Sequence, residues 1–229
     1  MPHEARAVPV SLPLAASPRP RGCFSAQVNA ALDAAEADLP KGSGALLITT
    51  VGARAFSAGF DLDIMGNADA DPAQRQELLD AGVELCFRLY LFRRPLVLAV
   101  SGHALALGGL LALCGDLRIG TTNPKTQIGL PEIQIGMQLP VFGVKLAEAR
   151  LNTPSDYNRA VILADSFSTA EAVSAGFLDK VVAEEELAEV AAAEAARLGE
   201  HCGGGFGQTK LYMREPMIEY VRSTGQARI

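Results

Sequence analysis

The stretch RPLVLAVSGHALALGGLLALCGDLRIG, residues 94–120, decides how this chain is read. It opens with an apolar run from Pro95 to Ser101, the pattern of a strand covered on both faces. Gly108-Gly109 leads into a short apolar helix ending at Gly115, and Asp116 to Thr121 reads as the next strand. A strand, a glycine turn, a helix and another strand in so short a span indicate a largely parallel sheet.

A second segment, AFSAGFDL at residues 55–62, follows the buried strand Ala45 to Thr50. Glycines directly after buried strands mark places where backbone turns sharply or comes close to something. Such loops leave N–H groups unpaired at the next helix start, and two of them can converge on a developing oxyanion. Tight helix–strand packing uses the same glycines, so at this level both readings stand.

Further out, the alternation continues. Val8, Val10, Leu12 and Leu14 share one face of an N-terminal strand, and Pro9 and Pro13 between them make it an edge. Ser25 caps a helix running to about Leu39. Asp71-Pro72 opens a long helix with the core stripe Leu78, Leu79, Leu85, Cys86 and Leu89. Helices are expected from Pro140 to Arg150 and from Pro154. Another starts at the capping box Ser168-Thr169-Ala170-Glu171 and stops at Gly176. A strand follows over Leu178 to Ala183, then an Ala/Glu helix to about Leu198. Gly203-Gly204-Gly205 breaks the chain and the last helix starts near Gln208. That break divides a core, residues 1–202, from a short C-terminal helical segment, residues 203–229.

Composition narrows the function. The chain has 229 residues, 49% hydrophobic and 20% charged, so it needs no staples to build a core. Its net charge of −6 argues against general nucleic-acid or anionic-membrane binding. Cys23, Cys86, Cys114 and Cys202 are scattered without a CxxC, which favours free thiols in a reducing compartment over a disulfide or metal framework. No apolar run is long enough to span a membrane and the N-terminus is a poor signal peptide, so a cytoplasmic protein is expected. No metal or bound cofactor is expected either.

Common catalytic motifs fail. There is no phosphate loop, no dinucleotide fingerprint and no nucleophile elbow. Ser101-Gly102-His103 tempts toward a hydrolase, but adjacent side chains leaving a strand diverge, and His103 reads as structural. Asp61, Asp63, Asp69 and Asp71 lack calcium-loop spacing and read as a solvated loop.

The two glycine segments, in this order, resemble the signature of the enoyl-CoA hydratase/isomerase (crotonase) superfamily: F-S-A-G-x-D-L, then K/R-P-x-x-A-x-x-G…GG…D-x-R-I and G-x-x-E-x-x-x-G. The likeness covers about Ser25 to Lys210. It implies an α/β fold with a crotonase-like ββα spiral core, a homotrimer or dimer of trimers, and an acyl-CoA thioester as substrate. It further implies oxyanion N–H groups on Phe60, after Ala58-Gly59, and on Leu107 or Gly108. Arg19, Arg21, Arg54 and Lys210 lie where a phosphate of coenzyme A could meet them, although each reads more readily as an ordinary surface charge.

Within the superfamily, hydratases carry two catalytic glutamates. Counted back from Asp116, the first position holds Leu110; the second holds Glu132. Hydration needs two carboxylates, because water must be activated while a proton reaches the α-carbon. A double-bond shift needs one base, and the sequence is most similar to mitochondrial-type Δ3,Δ2-enoyl-CoA isomerases. Those also have leucine at the first position and a longer loop, here Asp116…Asn123-Pro124…Ile128-Gly129-Leu130-Pro131-Glu132. The resemblance implies that Glu132 moves the proton in an apolar acyl pocket including Leu110 and Met137, whose desolvation raises its pKa. A hydratase with another second acid, or a crotonase-like scaffold that binds acyl-CoA without catalysis, are the alternatives.

Overall fold

The computed structural model describes residues 7–12, 29–30, 32–34, 37, 44–50, 55–60, 65, 71–200 and 204–225. Two sheets organise it. The larger has the order β1-β2-β4-β6-β9, formed by Ala7–Leu12, Ala45–Thr50, Leu96–Val100, Leu117–Thr121 and Lys180–Val182, all parallel. The smaller has the order β3-β5-β7-β8, formed by Ala55–Ser57, His103–Leu105, Ile128–Gly129 and Ser166–Phe167; only β7 and β8 run antiparallel.

The chain visits the sheets in turn. β2, β4 and β6 lie in the larger sheet, and each is followed by a short strand, β3, β5 or β7, in the smaller one. A helix then returns the chain: α1 (Pro72–Tyr90) after β3, α2 (Leu107–Cys114) after β5, and α3 (Val141–Arg150) after β7 and a 3-10 turn. This is the expected ββα spiral. α4 (Pro154–Val161), α5 (Thr169–Ala175), α6 (Leu187–Glu200) and α7 (Gly204–Ser223) complete the described helices.

β4 is buried at all five positions because both faces of the larger sheet are covered. On one face Leu47, Val97, Ala99 and Ile119 pack against Leu187, Ala191 and Ala195 of α6. On the other, Leu46, Ile48, Leu96, Leu98 and Val100 join the main core with α1, α2, α3 and α7. Edge strand β1 holds Pro9, which could not donate to a second neighbour.

The caps stand as expected. The Asp71 side chain accepts from the Ala73 N–H with Pro72 at the first helical position. Ser168 and Glu171 form a reciprocal capping box, and Gly176 closes α5 in the left-handed region. Two expectations change. The buried face of α1 is Gly82, Val83, Leu85, Cys86, Phe87, Leu89 and Tyr90, with Leu78 and Leu79 only half-buried. The last helix begins at Gly204 rather than near Gln208. Its first turns are set by tertiary contact, not glycine propensity: a Cβ on Gly207 would lie 2.8 Å from the Arg93 carbonyl, and Lys210 and Arg214 are buried.

Candidate active site

β3, β5 and β7 are parallel neighbours, so their carboxyl ends emerge side by side. That edge of a parallel sheet is where loops gather to form sites. After β3 comes Ala58-Gly59-Phe60, after β5 Ala106 and the start of α2, and after β7 Leu130 and the 3-10 turn Pro131–Ile135 holding Glu132. Three sequence segments far apart in the chain thus meet at one edge.

Backbone geometry makes the first two loops interlock. Gly59 has φ +102°, and a Cβ there would stand 3.0 Å from the Ala106 Cβ and 3.8 Å from the Leu107 nitrogen. The first turn of α2 is wedged between neighbouring strand ends. A Cβ on Gly108 would lie 2.1 Å from the Ser57 carbonyl oxygen, and one on Gly109 2.5 Å from that of Gly129. Both glycines are therefore required by close approach, so the packing reading of these glycines holds. Leu107 and Gly108 are the first residues of α2, where N–H groups have no carbonyl within the helix to bond.

Ala106 was not singled out by sequence. Its φ of 53° and ψ of −124° lie outside the ordinary regions for an L-residue. Such a conformation costs about 1–3 kcal/mol and persists only when surroundings enforce it. Here the Ala106 N–H donates to the Gly129 carbonyl at 3.1 Å, and its carbonyl accepts from the Leu110 N–H at 3.1 Å. The turn reorients the peptide that carries the Leu107 N–H. Alanine gives no sequence signal for a positive φ.

Glu132 is 7% exposed and is the one carboxylate buried among the described residues. Its backbone is held by the Met137 N–H, which donates to the Glu132 carbonyl at 2.9 Å. Its Oε2 is buried without a hydrogen-bond partner among the described groups. Burial pushes the acid up from 4.5 to about 7, against a smaller opposing hydrogen bond from its own backbone. A carboxyl poised there can both take and return a proton near neutrality.

The remaining candidates separate. Leu110 is 3% exposed and turns toward α3: a Cβ on Gly143 would lie 3.2 Å from its Cδ2 and 3.1 Å from the Leu139 Cγ. Met137 is half-buried just past the 3-10 turn, Phe60 is half-buried, and Ala58 is exposed. The His103 Nδ1 accepts from the Gln127 N–H at 3.1 Å, so His103 ties β5 to the residue that leads into β7. Ser101 shares a 2.8 Å hydrogen bond with Thr50. Lys210 corrects its expectation as a surface or phosphate-facing charge: it is 5% exposed, 2.6 Å from Asp116, and belongs to the fold's interior. Arg19, Arg21, Arg54, Asp61, Asp63 and Asp69, with Cys23 and Cys202, lie outside the described residues. No group of His, Cys, Asp and Glu suited to a metal ion occurs among the described residues, and no described helix is long and apolar enough to cross a membrane.

Residues 22–218 match the family model described as enoyl-CoA hydratase/isomerase. The chain is 38% identical to mouse mitochondrial enoyl-CoA delta isomerase 1 over 135 residues, covering 58% of this chain and 45% of that protein. It is 37% identical to a crotonyl-CoA hydratase of Syntrophomonas wolfei over 143 residues, covering 62% and 53%. The chain thus spans about half the length of the curated relatives it matches. Among solved structures, human mitochondrial delta3-delta2-enoyl-CoA isomerase aligns with a TM-score of 0.82 at 30% identity, over 90% of this chain and 78% of that one.

Proposed function

This chain belongs to the enoyl-CoA hydratase/isomerase family, and from that premise we propose that it moves the double bond of a 3-enoyl-CoA to the 2-trans position, with Glu132 as its only acid/base. The observation that carries this reading is the solitary carboxyl. Glu132 is the one buried carboxylate described, and Leu110, where a hydratase has its other glutamate, is packed against Leu139 and Gly143.

In the proposed reaction the Glu132 carboxylate removes a proton from C2 of the thioester. The C–H electron pair moves into the C2–C1 bond and charge gathers on the thioester oxygen, giving a dienolate. The N–H groups of Phe60 and Leu107 hold that oxygen; Leu107 is preferred to Gly108 because the Leu107 nitrogen lies beside Gly59. Glu132, now a neutral acid, returns the proton to C4. One group serves both steps because a carboxyl near pH 7 changes protonation state at little cost.

The 37% identity to a crotonyl-CoA hydratase supports a second reading, addition of water to a 2-enoyl-CoA. The two are separated by product. Incubation with a 3-enoyl-CoA should yield the conjugated 2-enoyl thioester; no turnover would end the isomerase reading, and rapid conversion of a 2-enoyl-CoA to its 3-hydroxy product would favour the hydratase. We further propose a cytoplasmic homotrimer or dimer of trimers, which sedimentation equilibrium tests.

A further inference from the structure

α1 carries a glycine, Gly82, in its interior, where glycine costs about 1 kcal/mol relative to alanine. The position is buried and its φ is ordinary, so neither turn geometry nor exposure accounts for it. What occupies the missing side chain's place does. A Cβ on Gly82 would lie 2.5 Å from the Phe60 Cζ, 2.7 Å from the Phe60 Cε1 and 3.3 Å from the Leu107 Cδ2. The ring of Phe60 is seated directly on the helix backbone, and the Leu107 side chain reaches the same point from α2.

These two residues carry the N–H groups assigned above to the oxyanion. They come from different loops, and nothing in the local sequence fixes the distance between them. A shared side-chain seat does: the Phe60 ring and the Leu107 side chain meet at one notch on a third element. We infer that Gly82 is a positioning residue, whose missing side chain lets α1 set the separation of the Phe60 and Leu107 N–H donors. This rests on the oxyanion assignment of the proposed function. Gly82 touches no reacting atom and acts through the two donors.

The device follows from how an oxyanion hole works. Donors aid the reaction when they are already placed where charge develops, so small displacements of one donor cost rate more than substrate binding. A methyl at position 82 must push the Phe60 ring aside, and with it the peptide that follows Gly59. Ring displacement is the cheaper response, because helix α1 is held by its own hydrogen bonds and by Val83, Leu85 and Cys86 in the core.

The test is a double-mutant cycle on the full chain with Gly82→Ala, Phe60→Leu and the pair. Gly82→Ala should lower kcat by about tenfold or more while KM changes by less than about threefold. Phe60→Leu removes the ring edge, so adding Gly82→Ala to it should change kcat by less than about threefold. Equal losses from Gly82→Ala in both backgrounds would overturn the inference, as would wild-type kcat in the single variant. If Gly82→Ala alone fails to fold but the pair folds with the kcat of Phe60→Leu, the seat is supported. Failure of both to fold would overturn it, because the glycine would then serve only the packing of α1. The near-ultraviolet enolate band of bound acetoacetyl-CoA reports on the same two donors without isomerisation. Wild-type turnover therefore judges the isomerase reading, and the ratio of variant to wild type, by kcat or by enolate band, judges Gly82.

Discussion

Glu132 and Asp116 sit at opposite extremes of how a fold treats a carboxylate. Asp116 Oδ2 accepts from the Lys210 ammonium at 2.6 Å and from the Leu96 N–H at 2.8 Å, and Oδ1 lies 2.7 Å from Arg214. Arg214 also donates to the carbonyls of Tyr90 and Cys114 and lies over the Tyr90 ring. Two buried cations and a backbone amide converge on one acid and fasten α7 to the start of β4. Among the described residues Glu132 has no ion-pair partner, and its Oε2 is buried without a hydrogen-bond partner. One carboxylate is saturated and holds the fold together; the other is left unsatisfied and is the one proposed above to react.

The largest expected effect comes from removing the unsatisfied acid. Glu132→Gln should lower kcat for isomerisation by up to about 10⁴-fold, the span of general acid–base catalysis. The same variant should be more stable than wild type at pH 8. The folded pKa of Glu132 lies above its unfolded value, so the neutral form is favoured by folding. Stability linked to this group is fully present below pH 4.5 and lost as pH rises to about 7. At one pKa unit per 1.4 kcal/mol, the loss is on the order of 3 kcal/mol. Denaturant melts of both proteins at pH 5 and pH 8 measure it; a Glu132→Gln variant less stable at pH 8 would contradict it.

Asp116→Ala should show the reverse pattern. It strands Lys210 and Arg214 as buried unpaired cations and should cost about 3–5 kcal/mol in stability. Burial already holds Lys210 down to about 8, partly offset by Asp116, so losing the carboxylate lowers it further. Turnover per folded molecule should stay within about threefold of wild type, because the cluster lies at the amino ends of the strands, away from Glu132.

Activity against pH is a gentler probe. The base must be ionised, so kcat/KM should rise with pH and level off above a limb near pH 7. A limb near 4.5 would mean that Glu132 is solvated in the working enzyme. The smallest effect calibrates the rest: Ser168→Ala removes one half of the α5 capping box, remote from both acids. It should cost about 1 kcal/mol with kcat unchanged, as read by melting and turnover.

What was legible in the sequence follows this same contrast. The strands and their loops were readable because buried parallel strands are continuous apolar runs and their turns need glycine. The Gly129-Leu130-Pro131-Glu132 motif pointed to a carboxyl that the fold buries, and Leu110 is a buried apolar residue. The Asp116 cluster was only half readable. Asp116 belongs to a motif, but Lys210 and Arg214 lie about a hundred residues away on a helix whose sequence predicts a later start, behind three glycines. Charges brought together by tertiary packing leave no local pattern. Gly82 did leave one, a single glycine inside a helical run, but its meaning depends on a ring from another loop. Ala106 left none.

The most direct test of the central claim is to follow a 3-enoyl-CoA deuterated at C2 through the full chain and through Glu132→Gln in ordinary water. A single carboxyl that removes and returns the proton predicts 2-trans-enoyl-CoA from the wild type, with part of the deuterium carried to C4, and almost no product from the variant. Product from Glu132→Gln at the wild-type rate would contradict the account, because some other group would then be moving the proton.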